Sequence, residues 1–120
     1  MAMTTDDDYA VKLGQYDRLV ATLPDVERKG DTMPYTSLNG HMFSFLSKEG
    51  VVGLRLEAQR RQAFLEEYGT ELCLQYSRTM KEYVVVPDRL LDNTEAMRQH
   101  FAASYAYVTS LKPKPTKSKR

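Results

Sequence analysis

The chain is 120 residues long, 42% hydrophobic and 28% charged, with a formal net charge of +1 and one cysteine. That length supports one hydrophobic core and leaves too little chain for a second, in a composition typical of soluble globular proteins. A lone Cys73 excludes an internal disulfide, no run approaches the roughly 18 apolar residues of a membrane span, and MAMTTDDDYA lacks a secretory apolar stretch, so a cytoplasmic location is expected.

The charge is unevenly placed. The last nine residues, KPKPTKSKR, hold five basic side chains (Lys112, Lys114, Lys117, Lys119 and Arg120) and no acid. Subtracting +5 from the net +1 leaves −4 for residues 1–111, so charge argues against the body as a nucleic-acid surface.

In chain order, residues 1–8 read as a disordered lead-in and residues 9–111 as a single domain. From Tyr9 to Leu23, the residues Leu13, Tyr16, Val20 and Leu23 recur on one helical face, and Pro24 ends the helix. DVERKGDT is a polar connection to three strands, TMPYTSL, HMFSFLS and VVGLRL. Asn39-Gly40 between the first two is a hairpin signal, because a type I′ turn needs positive φ at both central residues. Pro34 cannot donate to a ladder, which makes the first strand an edge strand or places its start there.

AQRRQAFLEEYG, residues 58–69, predicts a helix carrying Phe64, Leu65 and Tyr68, closed by Gly69. ELCLQYS alternates Leu72, Leu74 and Tyr76, and EYVVVP is rich in β-branched residues and stops at Pro87. Asp92 with Glu95 resembles a capping box opening a last helix with Met97, Phe101, Tyr105, Val108 and Leu111 on one stripe. Pro113 and Pro115 end that helix and hold the basic tail, 112–120, extended. The economical packing is an α+β fold of two layers, an antiparallel sheet with helices on one face.

Residues that could carry chemistry are sparse. His41 and His100 lie beside a turn and in a helix, without the further ligands a metal site wants. Cys73 sits in an alternating strand, where a buried thiol acts as a small hydrophobe. Gly50 and Gly53 fit a turn and a strand and form no nucleotide-binding fingerprint, and Ser37 and Ser44 have no histidine–acid partners identifiable from sequence. No catalytic residue, metal or cofactor is assigned. The tail reads either as a solubilising terminus or as a weak, salt-dependent contact to nucleic acid or an acidic surface.

Continuous pairing from the Asn39-Gly40 turn sets Leu38 against His41, Ser37 against Met42, Thr36 against Phe43 and Tyr35 against Ser44. Thr36, Leu38, His41, Phe43 and Phe45 then share the core face with Val52, Leu54 and Leu56. The opposite, open face carries Tyr35, Met42, Ser44, Leu46, Arg55 and Tyr83. Tyrosine, methionine and arginine are enriched in interfaces. Tyr35, Met42, Ser44, Arg55 and Tyr83 are therefore the candidate partner or self-association face, with a helix end or the tail as the competing cover.

Met33 leading a strand, "NGHMFSFL", "GVVGLRL", "AFLEEYG" and "MKEYVVVPDRLLDN" followed by a terminal helix resemble the N-terminal domain of the TfoX/Sxy competence-regulator family over residues 10–111. Where many members carry glycines after that methionine, this chain has Pro34-Tyr35-Thr36. The resemblance implies a five-stranded antiparallel sheet in the order αβββαββα, no established catalytic residues, and a regulatory role alongside a separate helical domain. The expected function is a small bacterial, non-enzymatic protein–protein interaction domain. The alternatives are an accessory regulator whose basic tail touches nucleic acid, or an enzyme using Tyr35, Ser44 and Arg55.

Overall fold

Helical periodicity, glycine stops and β-branched runs become nine elements in the computed structural model, which describes residues 6–30, 33–75 and 78–111. Helix α1 spans Asp6–Val20, beginning three residues before Tyr9, so helix replaces part of the lead-in expected over residues 1–8. The sequence offers three aspartates there, and helix N-termini favour acidic residues. Tyr16, Leu19 and Val20 are its buried residues, and the chain leaves it through turns from Thr22 to Leu19 and Leu23 to Val20, before Pro24.

Strands β1 (Tyr35–Leu38), β2 (His41–Leu46) and β3 (Val52–Arg55) form the expected meander. Asn39 and Gly40 both have positive φ, 54° and 85°, as a two-residue I′ hairpin turn requires. Helix α2 (Ala58–Tyr68) starts where the Glu57 side chain accepts from the Arg60 N–H and ends on left-handed Gly69. Strands β4 (Leu72–Gln75) and β5 (Arg78–Val86) form the second hairpin.

After Pro87 comes a short helix the sequence reading lacked, α3 (Asp88–Leu91), which buries Leu90 and Leu91. The order is therefore αβββαββαα. Helix α4 (Thr94–Ser110) is capped by Asn93, whose side chain accepts from the Ala96 N–H. Asp92 instead closes α3, so the expected Asp92 cap moves by one residue. Asn93 supplies the side-chain acceptor for a free N–H at the start of the new helix.

The sheet is antiparallel throughout, in the order β1-β2-β3-β5-β4. Val52, Leu54, Val84 and Val86 meet Leu46, Phe43 and the helix residues Tyr16, Phe64, Leu91, Met97, Phe101 and Val108 in one core. Helices therefore cover one face, with α4 crossing β1, β2 and β3 and α2 lying on β5. The two-layer α+β architecture expected from sequence is the one observed.

Register departs from the expectation at one place. Leu38 faces His41 and Ser37 faces Met42, but Thr36 then faces Ser44 and Tyr35 faces Phe45. Phe43 is the extra residue of a β-bulge, and a bulge shifts every later side chain to the other face. Two donors secure it. The Tyr83 hydroxyl donates to the Met42 carbonyl at 2.7 Å, and the Ser104 hydroxyl donates to the Phe43 carbonyl at 3.3 Å and also to Arg55 O. Carbonyls that a bulge removes from the ladder are thus satisfied by side chains from β5 and α4.

Candidate functional site: the open face of the sheet

Residues directly across a strand pair share a face, so the observed register defines the surface the helices leave bare. Leu54 pairs with Ser44 and Val84, which places Ser44 on the core side. Gly53 pairs with Phe45 and Val85, and Arg55 with Tyr83, which places these on the other side with Tyr35.

Three residues are consequently corrected. Ser44, expected on the partner face, is fully buried under α1. Its hydroxyl shares hydrogen bonds of 2.6 Å with the Tyr16 hydroxyl and of 2.6 Å with that of Thr36. Leu46, also expected to be open, belongs to the core. Phe45, expected beneath the helices, lies instead on the open side. All three follow from the single inserted residue.

On the open side, Phe45 lies so close over Gly53 that a Cβ there would stand 2.4 Å from its ring, and 2.9 Å from the Cys73 sulfur. Glycine in a strand commonly marks this kind of close approach. Tyr83 packs beside Phe45 with ring centroids 5.8 Å apart. The Cys73 thiol is buried, and burial, with Glu71 nearby, pushes its pKa up to about 12, so it is protonated and unreactive near neutral pH. Next to this cluster is a groove of about 740 Å³. Its lining includes the apolar residues Met33, Phe45, Val51, Leu72, Leu74 and Val85, and Lys48, Glu49 and Glu71 supply charge of both signs.

The other expected residues spread along the same face in different roles. Tyr35 and Met42 are half-buried. Arg55 is committed to the fold: its Nε donates to Glu82 at 2.6 Å, and its guanidinium lies 6.0 Å from the Tyr83 ring centre and 5.6 Å from that of Tyr107. Tyr107 also donates to Glu82, at 3.1 Å. Burial pushes the Glu82 carboxyl up, but Arg55 and the Tyr107 hydrogen bond outweigh it and hold the pKa below its usual value. Met42, Arg55 and Tyr83 thus sit toward the Asn39-Gly40 hairpin, whereas Tyr35 shares one row with Phe45, Gly53 and Val85 and stands beside the groove.

Two polar clusters on the covered side had no signal in the sequence. The first is the Tyr16–Ser44–Thr36 hydroxyl chain, where burial raises the Tyr16 pKa. The second surrounds His100, which is 6% exposed between α2 and α4. Arg60 lies 3.3 Å from its Nδ1 and Tyr68 Oη 3.1 Å from its Nε2, with Phe64 packed edge-on at 5.0 Å. Arg60 can only donate, so Nδ1 accepts and Nε2 carries the proton. Burial, then the Arg60 charge, lower the His100 pKa. Helix packing creates both clusters, and periodicity alone does not place their partners.

His41 opens β2 opposite Leu38. Among the described residues no group of three or more His, Cys, Asp or Glu could hold a metal ion, and no helix is long and apolar enough to cross a membrane. Tyr76 and the basic tail residues Lys112, Lys114, Lys117, Lys119 and Arg120 lie outside the described residues. No family model matches the chain, and no curated protein or solved structure matches it either.

Proposed function

We propose that this chain is a non-enzymatic protein–protein interaction domain that binds its partner on the open face of the sheet. The groove of about 740 Å³ carries the reading, since apolar side chains line it on the face the helices leave bare. Interfaces combine an apolar centre with a polar rim, and Lys48, Glu49 and Glu71 provide a rim of mixed charge around this one. The fitting partner presents a small apolar cluster flanked by both signs of charge. The resemblance to the TfoX/Sxy N-terminal domain supports a regulatory setting for that binding.

The face is tested by capturing partners in cells, purifying the strongest and measuring its affinity directly. Val85→Lys, which puts a charge at the groove, should weaken binding at least tenfold while leaving the circular dichroism spectrum unchanged. Tyr35→Glu, in the same row but outside the groove lining, should weaken it less. Unaltered affinity in Val85→Lys overturns the proposal, as does turnover of a metabolite by the purified chain.

A further inference from the structure

The two edges of the sheet are treated differently. At one edge, β1 begins only after Pro34, and Lys29 bridges to it through two backbone hydrogen bonds with Tyr35, of 2.8 and 2.9 Å. Proline and a covering segment are the usual protections of a strand edge. At the other edge, β4 has the sequence Leu72-Cys73-Leu74-Gln75, with neither a charge nor a proline, although its pairing with β5 shifts register between Leu72 and Leu74. The isolated bridge on β1 has no counterpart on β4 among the described residues. Leu74, on that edge, is 67% exposed, the most exposed large hydrophobic side chain among the described residues.

We infer that β4 pairs with β4 of a second copy of this chain, joining two five-stranded sheets across a two-fold axis. Full overlap of the apolar triplet in an antiparallel pair centres the axis at Cys73. Leu72 of each copy then stands across from Leu74 of the other, so the exposed leucine gains an apolar neighbour. The charges agree with the same register. Glu71 is placed across from Gln75 of the second copy, and Gln75 is itself paired with Arg78 on β5. Glu71 and the second copy's Arg78 therefore share one row of the joined sheet, two strand spacings or about 10 Å apart, and no like charges meet. An isologous interface repeats that favourable row twice.

A second copy suits this edge better than an arbitrary peptide because the strand complements itself in both apolar pattern and charge. Four residues bury little area, so the dimer is a weak one, formed in the micromolar range of protein. Glu71, Leu72, Cys73 and Leu74 also line the groove, so the paired edge forms one wall of it and the joined sheets would make the two open faces continuous.

Analytical ultracentrifugation of the full chain from low to high micromolar concentration tests the inference. The wild type should pass from monomer to dimer, and Leu74→Lys should raise the dissociation constant at least tenfold with an unchanged circular dichroism spectrum. For the register, Leu72→Cys and Leu74→Cys chains, each also carrying Cys73→Ala, are mixed and oxidised. The mixture should cross-link between the two chains more than either chain does alone. A wild type that stays monomeric at high micromolar concentration overturns the inference, and so does a dimer unaffected by Leu74→Lys. Val85→Lys should still dimerise, which distinguishes failure of the groove reading from failure of the edge pairing.

Discussion

The two faces of the sheet bury their aromatic rings by different means. On the covered face, Phe43 packs against Phe101 at 5.5 Å and Tyr105 at 5.7 Å, both brought by α4. On the open face, Phe45 stands outside the core cluster under the helices and lies over Gly53, beside Cys73 and Tyr83. Two phenylalanines two residues apart are thus both almost fully buried, one by a second layer and the other by the sheet's own surface. A strand face can bury a large ring without a covering layer when a neighbouring strand supplies a glycine. The cost is a shallow cluster beside a groove that water can enter.

The contrast is sharpest in truncation. Phe101→Ala should lower stability by about 3–5 kcal/mol, because the enclosed core cannot collapse around the lost ring. Phe45→Ala should fall below that, since the space opens toward the groove. Denaturant unfolding of both variants measures the difference, and equal losses would break the distinction between the faces.

Ser44 tests which face the bulge assigns to it. As part of the buried hydroxyl chain, Ser44→Ala strips a partner from both Tyr16 and Thr36 and should cost about 1–3 kcal/mol. Continuous pairing would have put Ser44 on the open face, where a surface change typically stays within about 0.5 kcal/mol. A loss that small in the unfolding midpoint would contradict the bulge.

The smallest expected effect concerns acid. His100, packed between α2 and α4, faces Arg60 and Tyr68, with Glu67 acting in the opposite direction at longer range. Its folded pKa lies below the ordinary 6.5, so the unfolded chain takes up the proton first as pH falls. The stability contribution of neutral His100 is therefore whole above about pH 6.5 and declines as pH drops toward the depressed folded pKa. Thermal melts at pH 7 and pH 5 should show a smaller drop in His100→Gln than in the wild type. Equal drops would mean that protonation of His100 costs the covered layer nothing.

Much of this fold is written in local chemistry. Gly69 ends α2, Asn39-Gly40 makes the hairpin, and Pro24 and Pro87 stand at element boundaries, because each acts on backbone geometry within a few residues. The candidate site was legible only in part. Continuous alternation from the Asn39-Gly40 turn puts Tyr35, Met42, Arg55 and Tyr83 on the observed face, but it adds Ser44 and Leu46 and leaves out Phe45. Each error comes from counting alternation through a bulge. Nor does a composition reading anticipate α3: a four-residue helix has no periodicity to detect, and its leucines declare themselves only by packing.

By itself, then, the sequence determined the kinds of element, most of their ends and the two-layer class, since turn glycines, prolines and apolar periodicity are short-range signals. Tertiary structure decided which way the β2 side chains point. The bulge that decides it is secured by Tyr83 and Ser104, which lie 41 and 61 residues along the chain from the carbonyls they bond. No local pattern in HMFSFL records donors that distant. The side of the sheet on which a partner would bind is therefore a property of the folded molecule.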